Sequence, residues 1–169
     1  MKTLVCKQHE GDEMMNRIKV LVTDDSAFMR KMLTDMLQSS PRIEVVGTAR
    51  NGEDAIKKLV ELTPDVMTLD VEMPIMDGIE TLREINKRKL QIPVIMLSST
   101  TQAGANNTII ALEEGAIDFI PKPSGSISLD IHKVKDDLIS RVITAYDSKQ
   151  ISRKKEDLID RQQENASLK

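Results

Sequence analysis

Short apolar runs alternate with amphipathic stretches along most of this chain. Ile18 to Thr23 (IKVLVT) is a β-branched run that closes on Asp24-Asp25-Ser26. Ser26 or Asp25 can cap a following helix by accepting its free backbone N–H groups. Met29, Met32, Leu33, Met36 and Leu37 then recur on one helical face until Ser39-Ser40-Pro41. Ile43 to Gly47 reads as a second strand. Asn51-Gly52-Glu53-Asp54 opens a helix striped by Ala55, Leu59 and Leu62. It stops at Thr63-Pro64, since the residue before proline is pushed away from helical geometry. Val66 to Leu69 is a third strand, and Ile79, Leu82 and Ile85 mark the next helix. Val94 to Leu97 follows Pro93 as a fourth strand, then a helix with Ala105, Ile109 and Leu112 on one face runs to Glu114-Gly115. Ala116 to Ile120 is the last strand, closed by Pro121-Lys122-Pro123. Beyond Ser124-Gly125-Ser126, a final helix carries Ile131, Val134, Leu138 and Val142.

Five short strands alternating with five helices predict βαβ units, hence an α/β fold with a parallel sheet covered on both faces. Right-handed crossovers make that sheet doubly wound. Residues 1–16 show neither period and are expected to be a flexible N-terminal extension. The domain itself occupies about residues 17–146. From Asp147 the chain turns polar, with few large apolar residues (Ile151, Leu158, Ile159 and Leu168), so 147–169 reads as a polar linker or frayed helix.

Composition narrows the function. Phe28, Phe119 and Tyr146 are the only aromatic residues, so the core is built from Ile, Leu, Val and 10 Met. A stacking platform for single-stranded nucleic acid needs exposed aromatics. A net charge of -3 offers no basic field for DNA or RNA. Cys6 stands alone, which excludes an internal disulfide and a cysteine metal cluster. No apolar run approaches the ~18 residues that span a bilayer, and the first residues lack a signal-peptide core. No membrane insertion is expected, and the cytoplasm is the default location.

In such a sheet, ligands bind at the carboxyl ends of the strands. Strand one delivers Asp24 and Asp25 there, strand three Asp70, strand four Ser98 and Ser99, strand five Lys122; strand two ends in Gly47 and Thr48, which carry no reactive group. Singly, these are helix caps, loop hydroxyls and a solvated lysine. Together they are a site. Two like charges about 4 Å apart repel by roughly 4 kcal/mol at an effective dielectric of 20, so clustered carboxylates call for a cation. Oxygen ligands without His or Cys point to a hard metal, Mg²⁺ or Mn²⁺. With Lys122 opposite, the arrangement suits a phosphoryl group: the cations neutralise its oxygens while the Asp70 carboxylate attacks phosphorus to give an acyl phosphate.

DDS after strand one, LDVEMPIMDG around Asp70, SS after strand four and PKP after strand five resemble the receiver domains of two-component response regulators, over about residues 17–146. The resemblance implies a flavodoxin-like receiver fold of strand order 2-1-3-4-5. It implies that Asp70 is the phosphoacceptor and that Asp24, Asp25 and Asp70, with the backbone carbonyl of Glu72, hold the metal. Lys122 would bind phosphate, and Ser98 and Phe119 would form the switch, Phe119 rotating inward from an exposed position. A histidine kinase would be the donor. More narrowly, DDSAFMRKML, GTARNGEDAI and PKPSGSISLDIHKVK look like the regulatory domain of the chemotaxis protein-glutamate methylesterase. That implies a chemotaxis-type kinase and a methylesterase effector domain as partners. No G-x-S-x-G motif occurs before Lys169, and Ser126 and His132, both near the start of the last helix, have no third partner. The effector domain is therefore expected to be absent, and esterase activity is not expected of this polypeptide.

Three other readings compete. A stand-alone receiver would act by docking to partner proteins. An Asp-nucleophile phosphatase has a D-x-D pattern, where this chain has Glu72. A flavin or dinucleotide binder needs a glycine-rich first loop, where this chain has DDSAF, whose carboxylates repel a pyrophosphate.

Overall fold

The computed structural model describes residues 16–99, 102–123 and 129–167; the expected N-terminal extension, residues 1–15 of it, lies outside them, as does Ser126. Five strands and five helices alternate: β1 (Ile18–Thr23), α1 (Ala27–Gln38), β2 (Ile43–Ala49), α2 (Gly52–Leu62), β3 (Val66–Asp70), α3 (Gly78–Lys87), β4 (Val94–Ser98), α4 (Gln102–Glu113), β5 (Asp118–Pro121) and α5 (Leu129–Ser167). The strands form one parallel sheet in the order β2-β1-β3-β4-β5, as the resemblance implies. The reversal lies at β1, between β2 and β3, which brings the ends of β1 and β3 side by side.

Period-two alternation along the strands divides the core. Val20, Val22, Val66, Ile95, Leu97 and Ile120 pack with Leu33 and Leu37 of α1 and Leu138, Val142 and Ala145 of α5. Leu21, Met67, Leu69, Val94 and Met96 face the other way, toward α2, α3 and Ala111 of α4. Side chains of both sets at the strand centres are fully buried, as expected of a sheet covered on both faces.

The helix starts follow the caps in the sequence. Ser26 accepts from the Met29 N–H, Asn51 from the Asp54 N–H, and Asp77 forms a reciprocal capping box with Glu80. Strand boundaries shift: β2 runs on to Ala49, β3 and β4 each extend by one residue to Asp70 and Ser98, and β5 spans Asp118–Pro121 rather than Ala116 to Ile120.

Helix α4 departs from the expected face. Among its described side chains Ala111 is the buried one, whereas Ile109 is 60% exposed and Leu112 49%; the Ala105 side chain, the third of the expected face, lies outside them. Ile109, Ile110, Ala111 and Leu112 are consecutive and apolar, so periodicity does not select a side. Its C-terminal end does. Asn86 of α3 donates to the Glu114 carbonyl and Arg83 Nε lies 2.8 Å from Glu114 Oε1, which fixes the rotation with the small alanine inward.

The polar segment from Asp147, open in sequence between linker and frayed helix, is helical. It continues α5 without a break to Ser167, and residues 151–164 are exposed throughout.

Candidate functional site

At the reversal β1 delivers two acids and β3 one, and the backbone around them is tied down. Asp24 extends the β1–β2 ladder, its N–H donating to the Ala49 carbonyl at 3.0 Å. Its Oδ1 accepts from the Ser26 N–H at 2.9 Å, while Arg30 Nη1 donates to the carbonyls of Asp24 and Asp25. Arg30 thus holds the acidic pair in place, a role the sequence patterns do not announce. Asp24 is buried and Asp25 exposed.

Asp70 ends β3 and is 1% exposed. Its Oδ1 accepts from the Glu72 N–H at 3.2 Å. The chain then turns back: the Val71 N–H donates to Leu97, and the Gly78 N–H donates to the Val71 carbonyl at 2.9 Å. Glycine is required at 78, because a Cβ there would collide with the Asp70 carbonyl oxygen and Val71 Cα. The sequence marks this residue as part of a turn; its close approach to the Asp70 backbone is a tertiary fact.

Lys122 leaves β5 between two prolines, tolerable on an edge strand, and its N–H donates to the Ser98 carbonyl at 2.7 Å. Its Nζ lies 2.8 Å from Asp24 Oδ2 and 2.8 Å from Asp70 Oδ1. Burial opposes its charge, but the two carboxylates outweigh it and raise its pKa. For Asp70, burial is the largest influence and pushes the pKa up to about 6, with Asp24 adding and Lys122 and the Glu72 N–H opposing.

Asp24, Asp25 and Asp70 each offer a carboxylate oxygen, all within 4.8 Å of one another. One ammonium does not balance three acids, and Asp70 Oδ2 is buried with no hydrogen-bond partner. An orphaned carboxylate oxygen beside two further acids, with no nitrogen or sulfur ligand in the set, fits a hard divalent cation.

Four predicted residues, Asp24, Asp25, Asp70 and Lys122, therefore meet. Ser98 is buried one residue beyond the Asp70–Leu97 pair, but its hydroxyl donates to the Ser99 carbonyl rather than to Asp70. Phe119, expected to start exposed, is half-buried and packs against the cluster around Met96 and Ala111. Glu72 is exposed, and so is His132. A cleft of about 540 Å³ opens beside the acids, lined by Asp25, Glu72, Met73, Pro74, Asp77 and Asn107. Among the described residues, no helix is long and apolar enough to cross a membrane.

The chain is similar to known proteins in sequence and fold. The family model for the response regulator receiver domain matches residues 20–133. A protein-glutamate methylesterase/protein-glutamine glutaminase of Halalkalibacterium halodurans is 64% identical over 132 residues, 78% of this chain and 38% of the relative. The chain thus spans about two fifths of that relative's length. The crystal structure of the response regulator domain of Thermotoga maritima CheB superposes with a TM-score of 0.69 at 50% identity, covering 78% of this chain and 97% of that one. A chain from the CheX-CheY-BeF3-Mg²⁺ complex of Borrelia burgdorferi matches at 35% identity with a TM-score of 0.61, covering 73% and 87%.

Proposed function

Because the chain belongs to the response regulator receiver family, we propose that it is the phospho-accepting input of a chemotaxis signal, phosphorylated on Asp70 by a histidine kinase to regulate a methylesterase effector. The observation that carries this reading is Asp70 itself. It is a buried acid with Lys122 Nζ 2.8 Å from one oxygen, while the other oxygen has no partner.

In the reaction, the free Asp70 oxygen attacks the phosphorus of a phosphohistidine. The new O–P bond forms as the N–P bond breaks. The electron pair returns to the imidazole, which takes a proton from solvent. Lys122 meets the phosphoryl oxygens and holds Asp70 in line. Asp24, Asp25, Asp70 and the Glu72 carbonyl would hold Mg²⁺ or Mn²⁺, whose positive charge neutralises the phosphoryl oxygens when bound. The Mg²⁺ of the Borrelia complex supports that choice.

The phosphorylated side chain carries up to about two negative charges instead of one. Ser98 then turns from the Ser99 carbonyl toward the new oxygens, and Phe119, already half-buried, moves further into the vacated space. This local event biases the face of α4, β5 and α5. Output passes to the methylesterase or another protein partner. The receiver spans about residues 17–146, and no esterase activity is assigned to it. A cytoplasmic location accompanies this reading.

Incubation with acetyl phosphate and Mg²⁺ should give acid-labile, base-labile acyl phosphate on the native chain and none on Asp70→Asn. Labelling of Asp70→Asn at the native level would remove the assignment.

A further inference from the structure

Past the sheet, α5 carries an uncovered apolar strip. Ile151 and Leu158 stand seven residues apart on one helical face, with Ile159 beside them. They are 56%, 58% and 52% exposed and belong to neither core cluster. Residues 151–164 are exposed throughout, so no described element packs on the strip.

The charges along the strip are sorted by sign. Residues 149–155 hold Lys149, Arg153, Lys154 and Lys155 and no acid, whereas residues 156–164 hold Glu156, Asp157, Asp160 and Glu164 against Arg161 alone. That order does not serve the helix that carries it. A helix favours anions near its N-terminus and cations near its C-terminus. Here the acids lie toward the C-terminal end, and the last turn has no basic residue. Within one helix an acid four residues before a base is the better pair, whereas Arg153 precedes Asp157. Among the described residues, Arg153, Lys154, Lys155, Glu156, Asp157 and Asp160 make no ion pair with one another.

A second α5 laid antiparallel accounts for the bare strip and for the charge order together. With the crossing centred at Lys155–Glu156, where the sign changes, the basic stretch of each copy faces the acidic stretch of the other. Ile151 of each copy then lies near Leu158 and Ile159 of the other, and the Lys155 stem covers the seam while its ammonium reaches water. Parallel pairing would set like charges side by side, which opposes association. A partner of a single charge sign would match one half of the strip; a second copy matches both.

We propose that the exposed half of α5 is a self-association surface, on which two copies of this chain pair antiparallel through Ile151, Leu158 and Ile159 and through their opposed charged stretches. The two domains then stand at opposite ends of the pair. This goes beyond the phosphoacceptor reading and does not depend on Asp70.

Sedimentation equilibrium of the full chain tests it. The native chain should form a reversible dimer with Kd on the order of 10–100 µM, within reach of three apolar side chains per copy. Raising NaCl from about 50 to about 500 mM should weaken it severalfold. Ile151→Ser combined with Leu158→Ser should weaken it by about tenfold or more. An acidic chain (Arg153→Glu, Lys154→Glu, Lys155→Glu) and a basic chain (Glu156→Lys, Asp157→Lys, Asp160→Lys) should each lose about tenfold alone and recover association when mixed. An unchanged urea midpoint at about 1 µM chain checks that each variant keeps its folded domain. A native chain that stays monomeric at about 500 µM overturns the proposal, whether the strip is bare or taken by another protein. A dimer that survives the paired serine substitutions overturns it, and so do charge variants that self-associate as tightly as the native chain.

Discussion

Asp70 joins two demands that oppose each other. As the proposed nucleophile it must be ionised, yet burial raises its pKa to about 6 from the ordinary 3.8. Between those values the folded chain binds a proton that the unfolded chain has released. Stability linked to Asp70 is therefore complete below about pH 4 and is lost as pH rises through about 6. In EDTA, urea unfolding should show the native chain losing roughly 1–3 kcal/mol relative to Asp70→Asn between pH 4.5 and 7.5. Added Mg²⁺ should restore much of the loss at pH 7.5, since it binds only the folded site. A flat difference across that range would show that Asp70 does not titrate upward. Most of this centre was legible in the sequence, because strands that end in charged residues announce them. Arg30 was not, because its contact is with backbone carbonyls that no spacing rule records. Ile75, in the β3–α3 loop with φ 71°, carried no signal either, since a positive φ follows from how a loop is tied.

At the scale of elements, the β3–α3 junction gives a result opposite to simple propensity. Gly78 opens α3, where alanine would be the better helix former by about 1 kcal/mol. The Asp70 carbonyl and Val71 Cα occupy the place of that methyl group. Gly78→Ala should therefore destabilise by about 1–3 kcal/mol in denaturant titrations, the usual cost of overpacking. It should also slow acetyl-phosphate labelling, because the displaced backbone is that of Asp70. The other helices show where periodicity suffices. Ile79, Leu82 and Ile85 of α3 are all buried, as their spacing predicts. In α4 four apolar residues stand in a row, and Arg83 and Asn86, distant in sequence, decide which one faces inward.

For the whole molecule, stability resides in the two packed faces of the sheet, and the second half of α5 touches neither. Residues 151–164 are exposed, and the last core residue of α5 is Ala145, with Tyr146 packed beside it. Truncation after Gln150 should leave the urea midpoint unchanged, within about 0.5 kcal/mol, while the helical circular-dichroism signal falls. A large midpoint shift would reveal packing of the segment against the domain. Alternation of strand and helix made the architecture readable early, because each strand buries both faces. The length of α5 was not readable, since a polar segment with few apolar residues does not choose between helix and linker by pattern alone.

That unbroken helix has a geometric consequence. Its 39 residues form a helix about 58 Å long, packed at its root against α1 and β3 and continuing past the domain as a shaft. Whatever is joined to the shaft inherits an azimuth as well as a distance. Removing one residue from the solvent-exposed half would turn the attachment by about 100°, whereas removing seven would return it to within about 20° and draw it in by about 10 Å. Sensitivity to helical phase rather than to length would mark α5 as a torsional linkage between the receiver and its output.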